Sequence, residues 1–137
     1  MKLNTQLNIF IIEDNKMFAL MLKNELIKFL ESQNYHIHTF NRAEESESYL
    51  KLMPDLVLID YHLDGNDQNA MDGLSAIEMI RKISPDTDFV MITNDLETEL
   101  FLKAKQLNIY DYLTKSTNVP FKLNLTINQW LKWKKLA

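Results

Sequence analysis

Acids, a hydroxyl and a lysine recur in this chain at one kind of place: the end of a short apolar run. IFII (9–12) runs into Glu13 and Asp14, and LVLI (56–59) runs into Asp60. FVMI (89–92) runs into Thr93, and the run ending at Leu113 leads through Thr114 to Lys115. An ionised carboxylate at the end of a buried run is costly unless it has a partner. Taken singly, each residue has an ordinary explanation. An Asp after a strand is a turn former or the N-cap of the next helix, and a single lysine is a solvated cation. Taken together they make a set. Three carboxylates brought close repel one another and raise each other's pKa. A hard divalent cation resolves this, because Mg2+ takes oxygen ligands, commonly one or two carboxylates with waters and phosphate oxygens. The Lys115 ammonium and the Thr93 hydroxyl both suit a phosphoryl oxygen. The set reads as a carboxylate nucleophile beside a metal, arranged for phosphoryl transfer.

That chemistry requires the four runs to end side by side. Strands are expected at Leu7–Ile12, Tyr35–Phe40, Leu56–Ile59, Asp88–Thr93 and Ile109–Thr114. They are short apolar or β-branched runs, and YHIHTF (35–40) alternates like an edge strand. Helices are expected from Asn15 to about Ser32, over Arg42–Leu52, Leu74–Ile83 and Leu96–Leu107, and from Pro120 to about Leu136. Pro54 and Pro85 stop the second and third, and Pro120 suits the first turn of the last. The pattern is βα repeated five times. Continuous apolar strands alternating with helices imply a parallel sheet covered on both faces. Right-handed crossovers then favour an α/β, doubly wound (βα)5, flavodoxin-like sheet of five strands in the order 2-1-3-4-5. In that order strands 1, 3, 4 and 5 are consecutive, so the groups at their carboxyl ends converge where such sheets bind ligands.

Bulk properties agree with one domain over residues 1–137. Hydrophobic residues make up 46% and charged residues 25%, an ordinary globular balance. The net charge of −4 argues against general nucleic-acid binding, and such binding is not expected of this chain alone. With no cysteine, disulfides, thiolate metal sites and a cysteine nucleophile are excluded. No stretch approaches the ~20 apolar residues of a membrane span. No membrane partner is expected, and the expected location is the cytoplasm.

The chain resembles the receiver domain of two-component response regulators. The resemblance is carried by IFIIEDN (9–15), LVLIDYHL (56–63), MDGLSAIEMIRK (71–82), VMITND (90–95) and YDYLTKS (110–116). It implies that Asp60 is the phosphoacceptor. It implies that Asp14 and Asp60 ligate Mg2+ with the backbone carbonyl of His62, while Glu13 acts largely through metal-bound water. Thr93 becomes the switch hydroxyl, Lys115 the partner of a phosphoryl oxygen, and Tyr112 the aromatic switch that rotates inward when Thr93 moves. The implied phosphodonor is a phosphohistidine on a histidine kinase or histidine phosphotransfer protein. The implied output is a downstream protein bound at the face of the fourth helix, fifth strand and fifth helix, with a homodimer also allowed. The protein would not be a turnover enzyme, only a self-catalysed phosphoryl acceptor that slowly loses the group.

Four departures bear on this expectation. Asp72-Gly73 comes about five residues later than the family places it, so the polar stretch DGNDQNAM (64–71) holds an insert. A calcium loop does not fit there, because Gln68 and Asn69 break the EF-hand pattern. The insert reads first as a plain solvated surface loop; the sharper alternative is that it raises negative potential near the metal and helps shape the kinase-facing surface. Ser116 replaces the proline that commonly follows the lysine, so a trans bond or a rearranged loop is expected after Lys115. Asn94 follows Thr93 where the family usually has a smaller residue. His62 and Asp95, each two residues beyond a motif position, resemble sites that tune acyl-phosphate hydrolysis; the plainer reading of His62, and the favoured one, is a solvent-exposed side chain at a strand end.

The last helix places Leu123, Ile127, Trp130 and Leu131 on one side, with Phe121 and Leu125 on another, so part of its apolar surface is expected to meet a partner. Two other functional classes compete with this one. One is a Mg2+-dependent aspartyl-phosphate phosphohydrolase, which wants an acid two residues after its nucleophile, where this chain has His62, and also a cap segment. The other is a phosphorylation-independent interaction module, which has no reason to keep three mutually repelling acids. The chain stops after the fifth helix, which suggests a stand-alone module without an output domain.

Overall fold

The computed structural model describes residues 6–63, 69–116 and 118–136. Five strands and five helices alternate: β1 (Leu7–Ile12), α1 (Lys16–Phe29), β2 (Tyr35–Phe40), α2 (Ala43–Ser46), β3 (Leu56–Ile59), α3 (Gly73–Ile83), β4 (Asp88–Thr93), α4 (Thr98–Gln106), β5 (Asp111–Thr114) and α5 (Val119–Trp133). All strand pairs are parallel, in the order β2-β1-β3-β4-β5.

Successive strand residues point to opposite faces, and both faces are covered. Ile9, Ile11, Leu58, Val90 and Ile92 pack on one side with Leu22 and Leu26 of α1 and Leu123, Ile127 and Trp130 of α5. Phe10, Ile12, Val57, Ile59, Phe89 and Met91 pack on the other with Ala76, Ile77 and Ile80 of α3 and Ala104 of α4. This is why the central strands are apolar without alternation. The last helix is also fastened by its polar atoms. The Trp130 indole N–H donates to Asp88 at 2.9 Å, and the Lys134 ammonium lies 2.9 Å from the same carboxylate.

Register decides what meets at the carboxyl edge. Ile12 lies opposite Ile59, Ile59 opposite Met91, and Thr93 opposite Thr114. One residue further on, the Asp60 N–H donates to the Ile12 carbonyl at 3.1 Å, and the Lys115 N–H donates to the Thr93 carbonyl at 2.8 Å. The sheet ladder therefore continues through the residues that carry the chemistry.

Several element bounds differ from the sequence reading. The helix expected over Arg42–Leu52 is α-helical only over Ala43–Ser46, and Glu47–Leu52 is a 3-10 helix. The Ser46 hydroxyl donates to the Ala43 carbonyl at 2.6 Å, the acceptor that Glu47 would use in an α-helix, and the Glu47 N–H turns to Glu44 instead. The fourth helix starts at Thr98 rather than Leu96, because Asp95 accepts the Glu97 N–H at 2.9 Å and holds a turn there. The first helix ends at Phe29, where the Leu30 N–H closes on the Leu26 carbonyl. The fifth strand starts at Asp111, after the left-handed Asn108 (φ 55°). On α5 the two faces are as expected: Leu123, Ile127, Trp130 and Leu131 are buried, while Phe121 and Leu125 are exposed.

Candidate phosphoacceptor site

The acids arrive from the ends of the two central strands. Ligand oxygens of Glu13, Asp14 and Asp60 all lie within 4.8 Å of one another. Glu13 and Asp60 are buried and Asp14 is half-buried. Local structure holds Glu13 in place: its Oε2 accepts the Asn15 N–H at 3.1 Å, and Asn15 caps α1 by accepting the Phe18 N–H at 3.0 Å. Among the described residues, Asp60 Oδ1 is buried with no hydrogen-bond partner. Such an atom is costly to leave bare. An oxygen-seeking cation would supply what it lacks, and the donor set, carboxylates only, is compatible with a hard divalent ion.

Lys115 reaches this cluster from the far side of β4. Its ammonium donates to Asp60 Oδ2 at 2.9 Å and lies 2.7 Å from Glu13 Oε1, the latter at ion-pair distance but off a hydrogen-bond direction. Its Nζ also stands 4.5 Å above the centre of the Phe18 ring. No peptide bond among the described residues is cis, so the bond before Ser116 is trans as expected, and Lys115 still points into the cluster. Burial pushes the Glu13 carboxyl up to about 7, with the charge of Asp60 adding to it, against the contacts from Lys115 and the Asn15 N–H. Burial works to lower Lys115, but its contacts with Glu13 and Asp60 outweigh this and hold the ammonium above its ordinary value.

The other site residues surround this core. Thr93 is fully buried at the end of β4, and its hydroxyl accepts the Asp95 N–H at 3.3 Å. His62 and Asp95 meet: Nε2 of His62 lies 3.0 Å from Asp95 Oδ2, joining the loop after β3 to the loop after β4. The Glu97 N–H holds the Asp95 carboxyl below its ordinary value, with His62 helping against burial. Tyr112 is half-buried, its hydroxyl donates to the Asp95 carbonyl at 3.2 Å, and its ring meets Phe101 edge-on. Asp95 thus touches the Thr93 hydroxyl, the Tyr112 hydroxyl and His62 at once. The insert's Asp64 and Asp67 lie outside the described residues.

The structure brings Glu13, Asp14, Asp60 and Lys115 together, with Thr93, His62, Asp95 and Tyr112 around them. The family model described as response regulator receiver domain matches residues 9–123. The chain belongs to the response regulator receiver domain family. Over 68 residues it is 32% identical to response regulator protein VraR of Staphylococcus saprophyticus, a match covering 50% of this chain and 30% of that protein's length. The signal receiver domain of a modulated diguanylate cyclase from Desulfovibrio desulfuricans is 27% identical with a TM-score of 0.73, covering 96% of this chain and 98% of that one. A CheY-like receiver domain protein from Methanospirillum hungatei superposes with a TM-score of 0.77 at 21% identity, covering 96% and 98%, and shows the same fold.

Two features of this receiver domain escape sequence reasoning. Phe18 belongs beside Lys115, yet they are 97 positions apart and join only because the first turn of α1 lies beside the end of β5. Gly73 is the other. A Cβ built on it would lie 2.8 Å from Tyr61 Cα and closer still to the Asp60 carbonyl oxygen, so α3 packs its first turn directly on the backbone of Asp60. Its position just after the Asp72 N-cap was the available signal.

Proposed function

We propose that this receiver domain takes a phosphoryl group onto Asp60 from a phosphohistidine of a histidine kinase or histidine phosphotransfer protein. The observation that carries the reading is the pairing at Asp60. One oxygen is held by the Lys115 ammonium, while the other is buried beside Asp14 and Glu13 with no hydrogen-bond partner among the described residues. In the transfer, an Asp60 carboxylate oxygen bonds to phosphorus, the phosphorus–nitrogen bond of the donor breaks, and the imidazole leaves. Asp14, Asp60 and the His62 carbonyl would hold Mg2+, with Glu13 acting through its waters, and the cation would neutralise charge on the phosphoryl oxygens. Lys115 is placed to follow a phosphoryl oxygen, and its contact with Glu13 gives it a second anchor while it moves.

Once formed, the acyl phosphate adds roughly two negative charges at one strand end. The Thr93 hydroxyl can then exchange its contact with Asp95 for a phosphoryl oxygen. The Tyr112 hydroxyl hangs on the same Asp95 backbone, so movement of that loop releases the ring inward. Next to it, a groove of about 430 Å³ is lined by Leu96, Phe101, Tyr112 and Lys122 between α4, β5 and α5. Exposed Leu96, Leu102, Phe121 and Leu125 extend this apolar surface. A downstream protein, or a second copy of the chain, is the proposed occupant, and its affinity would change with phosphorylation. The protein would not turn over an external substrate. A cytoplasmic location follows from the same reading. No helix of the described residues is long and apolar enough to cross a membrane.

Incubation with Mg2+ and acetyl phosphate, followed by intact mass measurement, tests this. One phosphoryl adduct is expected, absent in Asp60→Asn. No adduct on the wild-type chain favours a phosphorylation-independent module. Continuous hydrolysis of the donor at enzymatic rates favours a phosphohydrolase.

A further inference from the structure

The outermost strand, β2, carries two of the chain's three histidines. His36 and His38 sit two positions apart and therefore on the same face. Their rings stack with centroids 4.3 Å apart and 15° between planes. His38 is half-buried against Phe10, Phe40 and Tyr49, whereas His36 is exposed. Neither imidazole has a hydrogen-bond partner among the described residues. The third histidine, His62, is taken by Asp95. Packing alone does not call for this pair, because Phe40 continues the same ladder with an apolar ring. What imidazoles add to such a ladder is nitrogen lone pairs.

We propose that His36 and His38 chelate a borderline divalent transition-metal cation, of the Cu2+, Ni2+ or Zn2+ class. Imidazole nitrogen suits these ions, and affinity rises toward Cu2+. Metal–imidazole bonds of about 2.0–2.1 Å place two ligating nitrogens roughly 3–4 Å apart. Stacked rings 4.3 Å apart hold like atoms at a comparable separation, but their in-plane lone pairs run nearly parallel, so ligation requires the exposed His36 ring to leave the stack through a change of rotamer. Ligation needs neutral imidazole. Burial first, and then the nearby charge of His36, keep His38 below its usual pKa and so favour that form. The buried side of His38 is backed by Phe10, Phe40 and Tyr49, so one ligand is held by packing while the other is free to adjust. The remaining coordination positions face solvent on the His36 side.

This site is separate from the acidic one in position and in chemistry. His36 lies opposite Asn8 and His38 opposite Phe10, upstream of the strand end that carries Glu13. It offers nitrogen where the other offers oxygen, so Mg2+ prefers one and Cu2+ the other. Bound there, the ion would tie together two residues of an edge strand, which has only one neighbour, and stabilise the fold by mass action.

The test is a Cu2+ titration of the full chain in excess Mg2+, which keeps the acidic cluster occupied. Electron paramagnetic resonance should show one copper coordinated by two imidazoles. Calorimetry should show the affinity reduced by at least about tenfold, roughly 1.4 kcal/mol, in His36→Gln and in His38→Gln. The thermal midpoint of the wild-type chain should rise with Cu2+, and that of His36→Gln should not. Because His36 is exposed, its variant is a fair test even if the His38 variant folds poorly. Coordination by a single imidazole overturns the proposal, as does copper affinity unchanged in His36→Gln.

Discussion

The raised Glu13 carboxyl gives a stability profile that can be worked from the structure. In the folded chain it holds its proton up to about pH 7, whereas its ordinary value is 4.5. Between those values the folded state binds more protons than the unfolded one. Stability of the metal-free protein must therefore fall as pH rises through that window. The contribution is fully present below pH 4.5 and is lost once pH passes about 7. At ~1.4 kcal/mol per pH unit, the loss is roughly 3 kcal/mol. Glu13 is only 2% exposed, so solvent screening takes little from this figure. Glu13→Gln removes the titrating group while keeping most of the shape. Urea unfolding in chelator, followed by the fluorescence of Trp130 and Trp133, measures both proteins from about pH 4 to pH 8. The wild type should lose roughly 3 kcal/mol relative to the variant across that range. Saturating Mg2+ should reverse the trend, because the cation binds the ionised carboxylates. A wild-type minus variant difference that stays flat with pH would refute the reasoning. It would mean that the Lys115 ammonium alone keeps Glu13 ionised in the fold.

Two further perturbations address the frame around Asp60. Gly73→Ala drives a methyl group into the Asp60 and Tyr61 backbone, so it should destabilise the fold by about 1–3 kcal/mol and weaken Mg2+ binding, as measured by urea unfolding and by fluorescence titration. Wild-type stability and Mg2+ affinity in that variant would show that the α3 start gives way freely. His62→Ala removes the bridge to Asp95 across the mouth of the site, so water should reach the acyl phosphate more easily and its decay should quicken by about threefold or more. Decay is followed on phosphate-affinity gels after the donor is removed, and an unchanged half-life excludes a role for the bridge.

The sheet was legible because its strands are unambiguous. LNIFII, LVLI and DFVMIT are buried on both faces, so their apolar character does not depend on distant partners. The acids were legible as a set: one acid after a strand is ordinary, but acids, a hydroxyl and a lysine ending four adjacent strands are not. The second helix was less so, because its form turns on a single side-chain bond from Ser46 that competes with the backbone ladder. The start of α4 was misplaced because Leu96 looks apolar and helical in sequence, while the Asp95 turn leaves it exposed.

What the sequence alone determined is the set of partners at the carboxyl edge: strand ends are local features, and parallel order brings them together by connectivity. What only the tertiary structure decided is how those groups are held. The two anchors of Lys115, the Phe18 ring beneath it, the meeting of His62 with Asp95 and the seat of Gly73 on Asp60 all join residues far apart in the chain. Each contact depends on distances of a few ångströms between loops, and no periodicity in the sequence encodes such distances. The stacked histidines stand between these cases. Their spacing on the strand is written in YHIHTF, but only the packing of His38 against Phe10 and Tyr49 shows that one ring is held and the other is free.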